Sequence, residues 1–455
     1  MNHSRKLASF CTDLRFETLP DDVIQKAKLC ILDYIANIYG SLELKAVSDV
    51  ITYFQSQDTS GASTALGCGF KTNLHYAAFI NGTTAEAIEA QDGYRFGGNH
   101  PGAAVIPAAL GTAEERRIGG KKVIEAVVAG YETANRPAAA MHPWHTLNGF
   151  LPTGTCGAFG AAAAAAKIYD YDEITMLNAI GNAGYILPIS MAEHLMGGFT
   201  IKIVQGGQAA SAGILAAGLA GTGLTGTPQV LEGSHLNGGF TKITSASDPK
   251  LEKLSDRLGD TYSIMDIYFK PYTACRHTHG AAQAALELAG EKNFSIENIS
   301  EINVHTYGIA ELAVGKGVKE KDSFVSAQFS IPYVVAACLT DGELSPLQLT
   351  EKRISDKSLI RLSEKITVST DETLNQLYPD KTASRVEIRL KDNQIIKRQI
   401  DIPKGDPRDP MTETDIIQKV KQYAGKRDAD RIETVISKVL NLENVSDITE
   451  LTRLI

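Results

Sequence analysis

Hydrophobic positions recur at helical spacing over most of the first 265 residues. After the helix-start signature Leu19-Pro20-Asp21-Asp22, apolar residues fall every three or four positions up to about Gly40. The same pattern predicts further helices from Ala46 onward and at 76–89, 103–116, 121–135, 154–167, 174–186, 207–219 and 228–231. Strand signals are scarce in this part, so we predict that it is all-α.

The pattern changes beyond residue 300. Ile302-Asn303-Val304-His305 alternates apolar and polar residues, as a half-buried strand does, and 366–368 predicts a second short strand. Residues 385–390 and 394–400 flank the polar turn Lys391-Asp392-Asn393 and predict a hairpin. Helical periodicity then returns from Met411. We therefore predict a mainly α protein with a large helical domain and a smaller α+β domain.

Composition narrows the class of protein. The 455 residues exceed the limit of about 250 to 300 for a single core, which favours two domains. A net charge of −8 argues against a nucleic-acid or anionic-membrane partner. The six cysteines form no CxxC pair, as expected of reduced thiols. Neither a signal-peptide pattern nor a long enough apolar run is evident, since 156–166 is too short for a bilayer span. We expect a cytoplasmic protein.

Polar chemistry is concentrated in one stretch, 269–279, which reads Phe-Lys-Pro-Tyr-Thr-Ala-Cys-Arg-His-Thr-His. Small residues follow at 280–286, and these favour a helix. We predict a loop that ends at a helix start, where unpaired N–H groups attract anions. The alternative is that His277 and His279 face the core and cap that helix.

Other polar residues stand out on apolar scaffolds. They are Asp92 with His100 in a glycine-punctuated loop, Lys202 in a glycine-rich stretch, and Tyr333 after a proline. A lysine can hold a carboxylate, and a desolvated histidine can move a proton near neutral pH. Together with 276–279, these residues suit acid–base work on an anion. The plain alternatives are a loop cap for His100, a solvated charge for Lys202 and a core position for Tyr333.

Familiar cofactor motifs are missing from the sequence. It contains no HExxH, CxxC or EF-hand loop, and no GxGxxG after a strand, P-loop or GxSxG elbow. We therefore predict that the protein has no metal site and no nucleotide cofactor.

Several segments, in their order along the chain, resemble the MmgE/PrpD family, which includes 2-methylcitrate dehydratases, cis-aconitate decarboxylases and iminodisuccinate epimerases. They are 92–102, 154–167, 200–210, 270–279 and 327–333. The resemblance implies a discontinuous helical domain, 1–268 and 404–455, and an α+β lid, 269–403. It also implies a homodimer and a cofactor-free site between the domains.

The resemblance assigns roles residue by residue. The catalytic positions it implies are Asp92, His100, Lys202, His277, His279 and Tyr333. The positions it implies for binding substrate carboxylates are Lys202, Gln205 and Arg276. The chain departs from the family pattern at two places, because Leu151 and Gln205 stand where many relatives carry histidine. His142 or His145 is the nearby residue that could replace the imidazole missing at 151.

These assignments predict a cofactor-independent lyase that acts on a small di- or tricarboxylate by proton abstraction next to a carboxylate, like a 2-methylcitrate dehydratase. His100 or one of His277 and His279 would take the proton, and Tyr333 or another histidine would assist departure of hydroxide. The alternatives are an epimerase or other isomerase, a decarboxylase of a related dicarboxylate, or a carboxylate-binding or scaffold protein without catalysis.

Overall fold

The computed structural model describes residues 2–57, 60–291 and 295–455, and the chain is mainly α-helical there, as predicted. The α-helices of the described residues are α1 (His3–Asp13), α2 (Asp21–Ser41), α3 (Lys45–Gln55), α4 (Leu74–Ala87), α5 (Gly102–Arg116), α6 (Gly120–Met141), α7 (Trp144–Leu147), α8 (Pro152–Ile168), α9 (Glu173–Ile186), α10 (Ala192–Met196), α11 (Gln205–Gly221), α12 (Phe240–Ile243), α13 (His279–Ala289), α14 (Gly308–Val314), α15 (Phe324–Gln328), α16 (Ile331–Asp341), α17 (Glu351–Ile354), α18 (Lys357–Ser363), α19 (Glu372–Asn375), α20 (Glu413–Ala424), α21 (Ala429–Leu440) and α22 (Thr449–Thr452).

The strands form one four-stranded sheet and two short ribbons. They are β1 (Ser63–Ala65), β2 (Phe70–Thr72), β3 (Gly93–Tyr94), β4 (Ile267–Tyr268), β5 (Ile299–Thr306), β6 (Ile366–Thr370), β7 (Ser384–Leu390) and β8 (Ile395–Ile400). The larger sheet has the order β6-β5-β7-β8, with β5 and β6 parallel and the other pairs antiparallel. The predicted hairpin is confirmed as β7 and β8.

Two details of the sequence prediction are wrong. The first part of the chain is not all-α, because β1 pairs with β2 and β3 pairs with β4. Strands of two or three residues are too short to display the alternation by which a strand is recognised. Residues 228–231 form turns rather than a helix. So short a segment gains too few hydrogen bonds to offset the cost of starting a helix.

The centre of the helical part is α8, whose residues are all buried. Its alanines and glycines let α5, α6, α9 and α11 pack closely around it. Close approach also governs the crossing of α4 and α11. A Cβ on Gly82 would lie 2.6 Å from the Cα of Gly207, and a Cβ on Gly207 would lie 2.1 Å from the carbonyl oxygen of Phe79. The two helices therefore touch through their backbones.

Gly207→Ala is expected to lower the free energy of unfolding by about 1–3 kcal/mol, because the added methyl group must push α11 away from α4. The matched control is Gly218→Ala on the same helix, where an added Cβ meets nothing within 4 Å. The control should be neutral or stabilising by up to about 1 kcal/mol, because alanine is the better helix former. Chemical denaturation of both variants measures the difference, and equal effects would contradict a backbone contact at Gly207.

The C-terminal helices return to the N-terminal ones. Helix α20 packs on α2, where Lys419 pairs with Asp33 at 2.6 Å in the core. Lys28 of α2 donates to the carbonyl of Leu440 at 3.0 Å and pairs with Glu443 at 2.6 Å. On the four-stranded sheet, α13 packs against β7 and β8. The predicted domain boundaries and the lid role of the sheet stay predictions.

A short 3-10 helix, Thr200–Val204, runs directly into α11. By length and composition, the combined stretch Thr200–Gly221 is apolar enough to cross a membrane. However, 61% of its apolar window is buried inside the protein, where α11 packs on α4, α8 and α9. Its apolar composition is thus accounted for by core packing.

Candidate active site

Two glutamates and two lysines form a buried ionic cluster where α4 ends. Glu86 lies in the last turn of α4, Glu89 follows two residues after its end, and both carboxylates reach Lys202. Glu89 lies just beyond the helix with a φ of 53°, in the left-handed region that few side chains adopt. Lys202 lies in the turn before α11, and Lys270 follows β4. Their side chains are between 0% and 3% exposed.

Glu89 is the centre of this cluster. One of its carboxylate oxygens accepts from Lys202, and the other accepts from Lys270 at 2.7 Å. Lys270 also donates to the backbone carbonyl of Glu89 at 3.2 Å. Burial raises the pKa of the Glu89 carboxyl, but the two ammonium groups outweigh burial and hold its pKa well below the usual range. Glu89 is therefore a carboxylate at neutral pH.

Glu86 lies against three donors. Lys202 approaches one oxygen at 3.1 Å, the side-chain amide of Gln205 donates to the same oxygen, and the backbone N–H of Gly206 donates to the other at 2.8 Å. Burial raises the pKa of Glu86 and is opposed by Lys202. Because all three neighbouring groups donate, the site fits the ionised carboxylate.

His100 lies at the edge of the cluster with its side chain 15% exposed. Its Nδ1 is 2.7 Å from the backbone carbonyl of Asp92, which can only accept, so Nδ1 carries the proton. The other nitrogen, Nε2, then presents a lone pair 3.6 Å from the nearer oxygen of Glu89. Burial, reinforced by the charge of Lys270, lowers the pKa of His100 to about 3. The imidazole is neutral at pH 7 and can accept a proton through Nε2.

Asp92 lies beneath His100 and does not reach the lysines. Its carboxyl oxygens accept from the backbone N–H of Gly102 at 3.2 Å and from the hydroxyl of Tyr131 at 2.6 Å. Burial raises the pKa of Asp92 to about 7. Its backbone carbonyl fixes the tautomer of His100, so the structure places Asp92 as a support of that histidine.

The raised pKa of Asp92 has a consequence for stability. The native carboxyl holds its proton up to about pH 7, whereas the unfolded chain releases it near the ordinary value of 3.8. The native state thus binds more protons in this window, and stability from this group falls as pH rises. Through this group, the free energy of unfolding of the wild-type protein should fall by about 3 kcal/mol between pH 5 and pH 8. Asp92→Asn should abolish that fall. Urea denaturation at both pH values measures this, and an unchanged pH dependence would contradict the raised pKa of the buried Asp92 carboxyl.

Within the stretch 269–279, Lys270 contacts the Glu–Lys cluster, whereas Arg276, His277 and His279 form hydrogen bonds with other groups of the protein. Lys270, which our sequence prediction left without a role, donates to Glu89. His277 shares a hydrogen bond of 2.6 Å with the buried hydroxyl of Tyr307. Burial, followed by the neighbouring charges of His142 and Lys270, lowers the pKa of His277 to about 4. His277 is therefore a neutral imidazole at pH 7, and the charge of Lys270 lowers the pKa of both His277 and His100.

Arg276 and His279 are bonded within the protein. The guanidinium of Arg276 donates to the carbonyls of Pro403 and Lys404 at 2.7 and 2.8 Å and lies over the ring of Tyr268. In His279, Nε2 donates to the carbonyl of Ala274 at 3.0 Å, and Nδ1 lies 3.3 Å from Arg276. Both nitrogens of His279 thus have partners, and its side chain is fully buried.

Tyr333 is placed apart from these residues. Its hydroxyl donates to the backbone carbonyl of Gln348, and its side chain is fully buried on α16. The charges that act on it belong to Arg353, Asp341 and Asp356 rather than to the lysine cluster. The structure thus brings together His100, Lys202 and Gln205 and leaves Tyr333 in the core.

The surroundings of Leu151 show where the nearby histidines lie. Leu151 is buried at the start of α8, and its N–H donates to the carbonyl of Ser190 at 2.7 Å. His145 has partners at both nitrogens, in Thr155 and Thr244. The Nδ1 of His142, in contrast, is buried and has no hydrogen-bond partner. Of the two histidines, His142 is therefore the one with an unpaired ring nitrogen.

Sequence reasoning missed Glu86 and Glu89. A usable signal was present, because two acidic residues occur at helical spacing in a run otherwise made of alanine, threonine and isoleucine. Acidic side chains on an apolar helix are rarely fully buried unless they are paired. Within residues 2–57, 60–291 and 295–455, no group of three or more His, Cys, Asp or Glu side chains is arranged to hold a metal ion.

Two family descriptions match the chain, the MmgE/PrpD N-terminal domain over residues 5–252 and the MmgE/PrpD C-terminal domain over residues 272–442. The chain belongs to the MmgE/PrpD family. The chain is 27% identical, over an alignment of 473 residues, to a cis-aconitate decarboxylase of Aspergillus terreus, and the alignment covers 99% of this chain and 95% of the relative.

Other relatives align over similar lengths. The human cis-aconitate decarboxylase is 26% identical over 461 residues, with 97% of this chain and 92% of the relative covered. The cis-aconitate decarboxylase-like protein oryM of Aspergillus oryzae is 26% identical, with 100% and 97% covered. Membership of the MmgE/PrpD family together with these relatives supports an enzyme that acts on a carboxylate.

Proposed function

We propose that the protein is a cofactor-independent lyase that removes a proton next to a carboxylate of a small substrate. The observation that carries the proposal is the placement of His100, whose unprotonated Nε2 faces the Glu89 carboxylate held by Lys202 and Lys270. A proton acceptor beside two buried ammonium groups is the arrangement that carbanion chemistry next to a carboxylate requires.

His100 is the proposed base. The hydrogen bond from Nδ1 to the Asp92 carbonyl orients the ring and leaves Nε2 free to accept the proton. As the proton leaves, negative charge develops on the substrate carboxylate, and Lys202 and Lys270 stabilise it at low dielectric. The ammonium groups are already fixed by Glu86 and Glu89, so little reorganisation is needed at that moment.

His277 is the proposed second group of the reaction. In a dehydration, which we favour, the proton that His100 has taken from carbon passes to the departing hydroxide, which leaves as water, and the neutral imidazole of His277, hydrogen-bonded to the hydroxyl of Tyr307, holds that leaving group. In an epimerisation, a proton from solvent reaches the opposite face of the carbon that His100 deprotonated, on the side of His277. Decarboxylation is the second candidate and is favoured by the names of the relatives, which are cis-aconitate decarboxylases.

The experiment is a proton-exchange assay. Purified protein is incubated in deuterated buffer with 2-methylcitrate, cis-aconitate or iminodisuccinate, and NMR follows deuterium incorporation and product. A dehydratase gives an alkene, a decarboxylase loses carbon dioxide, and an epimerase exchanges one proton with inversion. Failure of the protein to exchange or convert any of these carboxylates or simpler ones would favour a protein that binds carboxylates without catalysis.

We also propose a cytoplasmic homodimer. Large apolar side chains are exposed between the end of α9 and the start of α11, next to Lys202. They are Tyr185, Ile189, Met191, Met196, Phe199 and Ile201, each at least half exposed. A second copy of the chain would cover such a surface. Light scattering after gel filtration measures the mass, and a monomer at micromolar concentration would contradict this proposal.

A further inference from the structure

The ionic cluster is neutral as a whole before any substrate enters. Lys202 and Lys270 contribute two positive charges, and Glu86 and Glu89 contribute two negative ones, so the sum is zero. Each ammonium group already donates to a carboxylate. No charge is left over to balance a substrate that carries several carboxylates.

Among the residues that the structure describes, the nearest other polar groups give no free donor of positive charge to the cluster, and Lys419 is paired with Asp33 at 2.6 Å. His100 and His277 are neutral, because burial keeps them unprotonated. The guanidinium of Arg276 keeps its charge, but its donors are used by the backbone carbonyls of Pro403 and Lys404, and it lies over the ring of Tyr268. Gln205 adds no charge, and its amide N–H donates to Glu86 while its oxygen accepts from Ser190 at 3.1 Å.

Glu86 has the environment that a bound substrate carboxylate needs. It receives an ammonium group, a side-chain amide and a backbone N–H, all of them buried. The chain itself thus fills one carboxylate position next to Lys202. A substrate with three carboxylates would have to displace Glu86 or bring uncompensated charge into a low-dielectric site, and both are costly.

We infer that Glu86 and Glu89 select a substrate of net charge −1, either a monocarboxylate or a dicarboxylate that also carries a protonated amine. This inference rests on the proposed site and names its substrate class. One carboxylate then binds beside His100, the partly exposed residue of the site, and accepts from the lysines in addition to Glu86 and Glu89.

Isothermal titration calorimetry tests the inference with four probes of increasing charge: crotonate and L-aspartate at −1, mesaconate at −2 and cis-aconitate at −3. The wild-type protein should bind crotonate or L-aspartate at least ten-fold more tightly than cis-aconitate. Tighter binding of cis-aconitate than of both −1 probes, or no binding of either −1 probe at millimolar concentration, would overturn the inference. This ranking does not depend on any variant.

Glu86→Gln gives the second measurement, since it keeps the shape of the side chain and removes one negative charge. Lys202, which then has only Glu89 as an anionic partner, should tighten binding of cis-aconitate at least ten-fold and leave crotonate within about three-fold. Unchanged cis-aconitate affinity in a folded variant would overturn the role of Glu86. The proton-exchange assay fails or succeeds separately: binding in the expected order without exchange would refute the lyase proposal alone, whereas rapid exchange with a higher affinity for cis-aconitate would refute the charge selection alone.

Discussion

Lys202→Met is expected to lower turnover by about 10²- to 10³-fold, because it removes a donor aimed at the charge that develops on the substrate. It should also lower the free energy of unfolding by about 3–5 kcal/mol, because Glu86 then loses its ammonium partner in the core while Glu89 keeps only Lys270. Steady-state kinetics on an identified substrate and urea denaturation measure the two effects.

A charge-balanced control separates chemistry from folding. The double variant Lys202→Met with Glu86→Gln removes one charge of each sign and leaves Glu89 paired with Lys270. It should recover most of the lost stability, and turnover should stay low. If the double variant recovered turnover as well, Lys202 would be a structural residue and its assignment to the reaction would be wrong.

His100→Asn is expected to lower kcat by about 10²- to 10⁴-fold, with little change in stability, because the acceptor at Nε2 is lost. The asparagine amide can still donate to the Asp92 carbonyl in place of Nδ1. The backbone N–H of His100 keeps its bond to Thr153 at 2.9 Å. Exchange of the substrate proton in deuterated buffer should fall by the same factor as kcat.

The matched control is His305→Asn. His305 lies in β5, where its Nδ1 is 3.2 Å from the hydroxyl of Ser369, and its side chain is one-quarter exposed. The change should leave kcat within about two-fold of the wild-type value. Proton exchange that persists in His100→Asn but is lost in a His277 variant would move the role of base to His277.

Elements with a strong local pattern could be predicted from the sequence. The hairpin at β7 and β8 follows from two β-branched runs around a polar turn, in which Asn393 adopts a φ of 68°. The helices around α8 follow from periodic apolar positions. The two-stranded ribbons could not be predicted, since β1 and β2 are three residues long and depend on pairing rather than on a pattern.

In the site too, residues with a local sequence signal could be predicted, and contacts between distant segments could not. Lys202 and His100 were predicted because each interrupts a glycine-rich stretch with a chemically useful group. The contact between Lys270 and Glu89 joins residues 181 positions apart, and no local spacing encodes it. Tyr333 stood out equally in the sequence, yet its hydroxyl meets the carbonyl of Gln348 in the core. Which polar residues meet is decided by the packing of distant segments.

The crossing of α4 and α11 at Gly82 and Gly207 also fixes the distance between positions 86 and 205 through the two main chains. The side chains at positions 86 and 205 can therefore be replaced without moving the main chains of α4 and α11. The hydrogen bond between Glu86 and Gln205 makes such exchanges interdependent, since a change of either residue alone removes one buried hydrogen bond of the other. A new substrate preference would therefore evolve here by paired replacement, and natural variants should change both positions together.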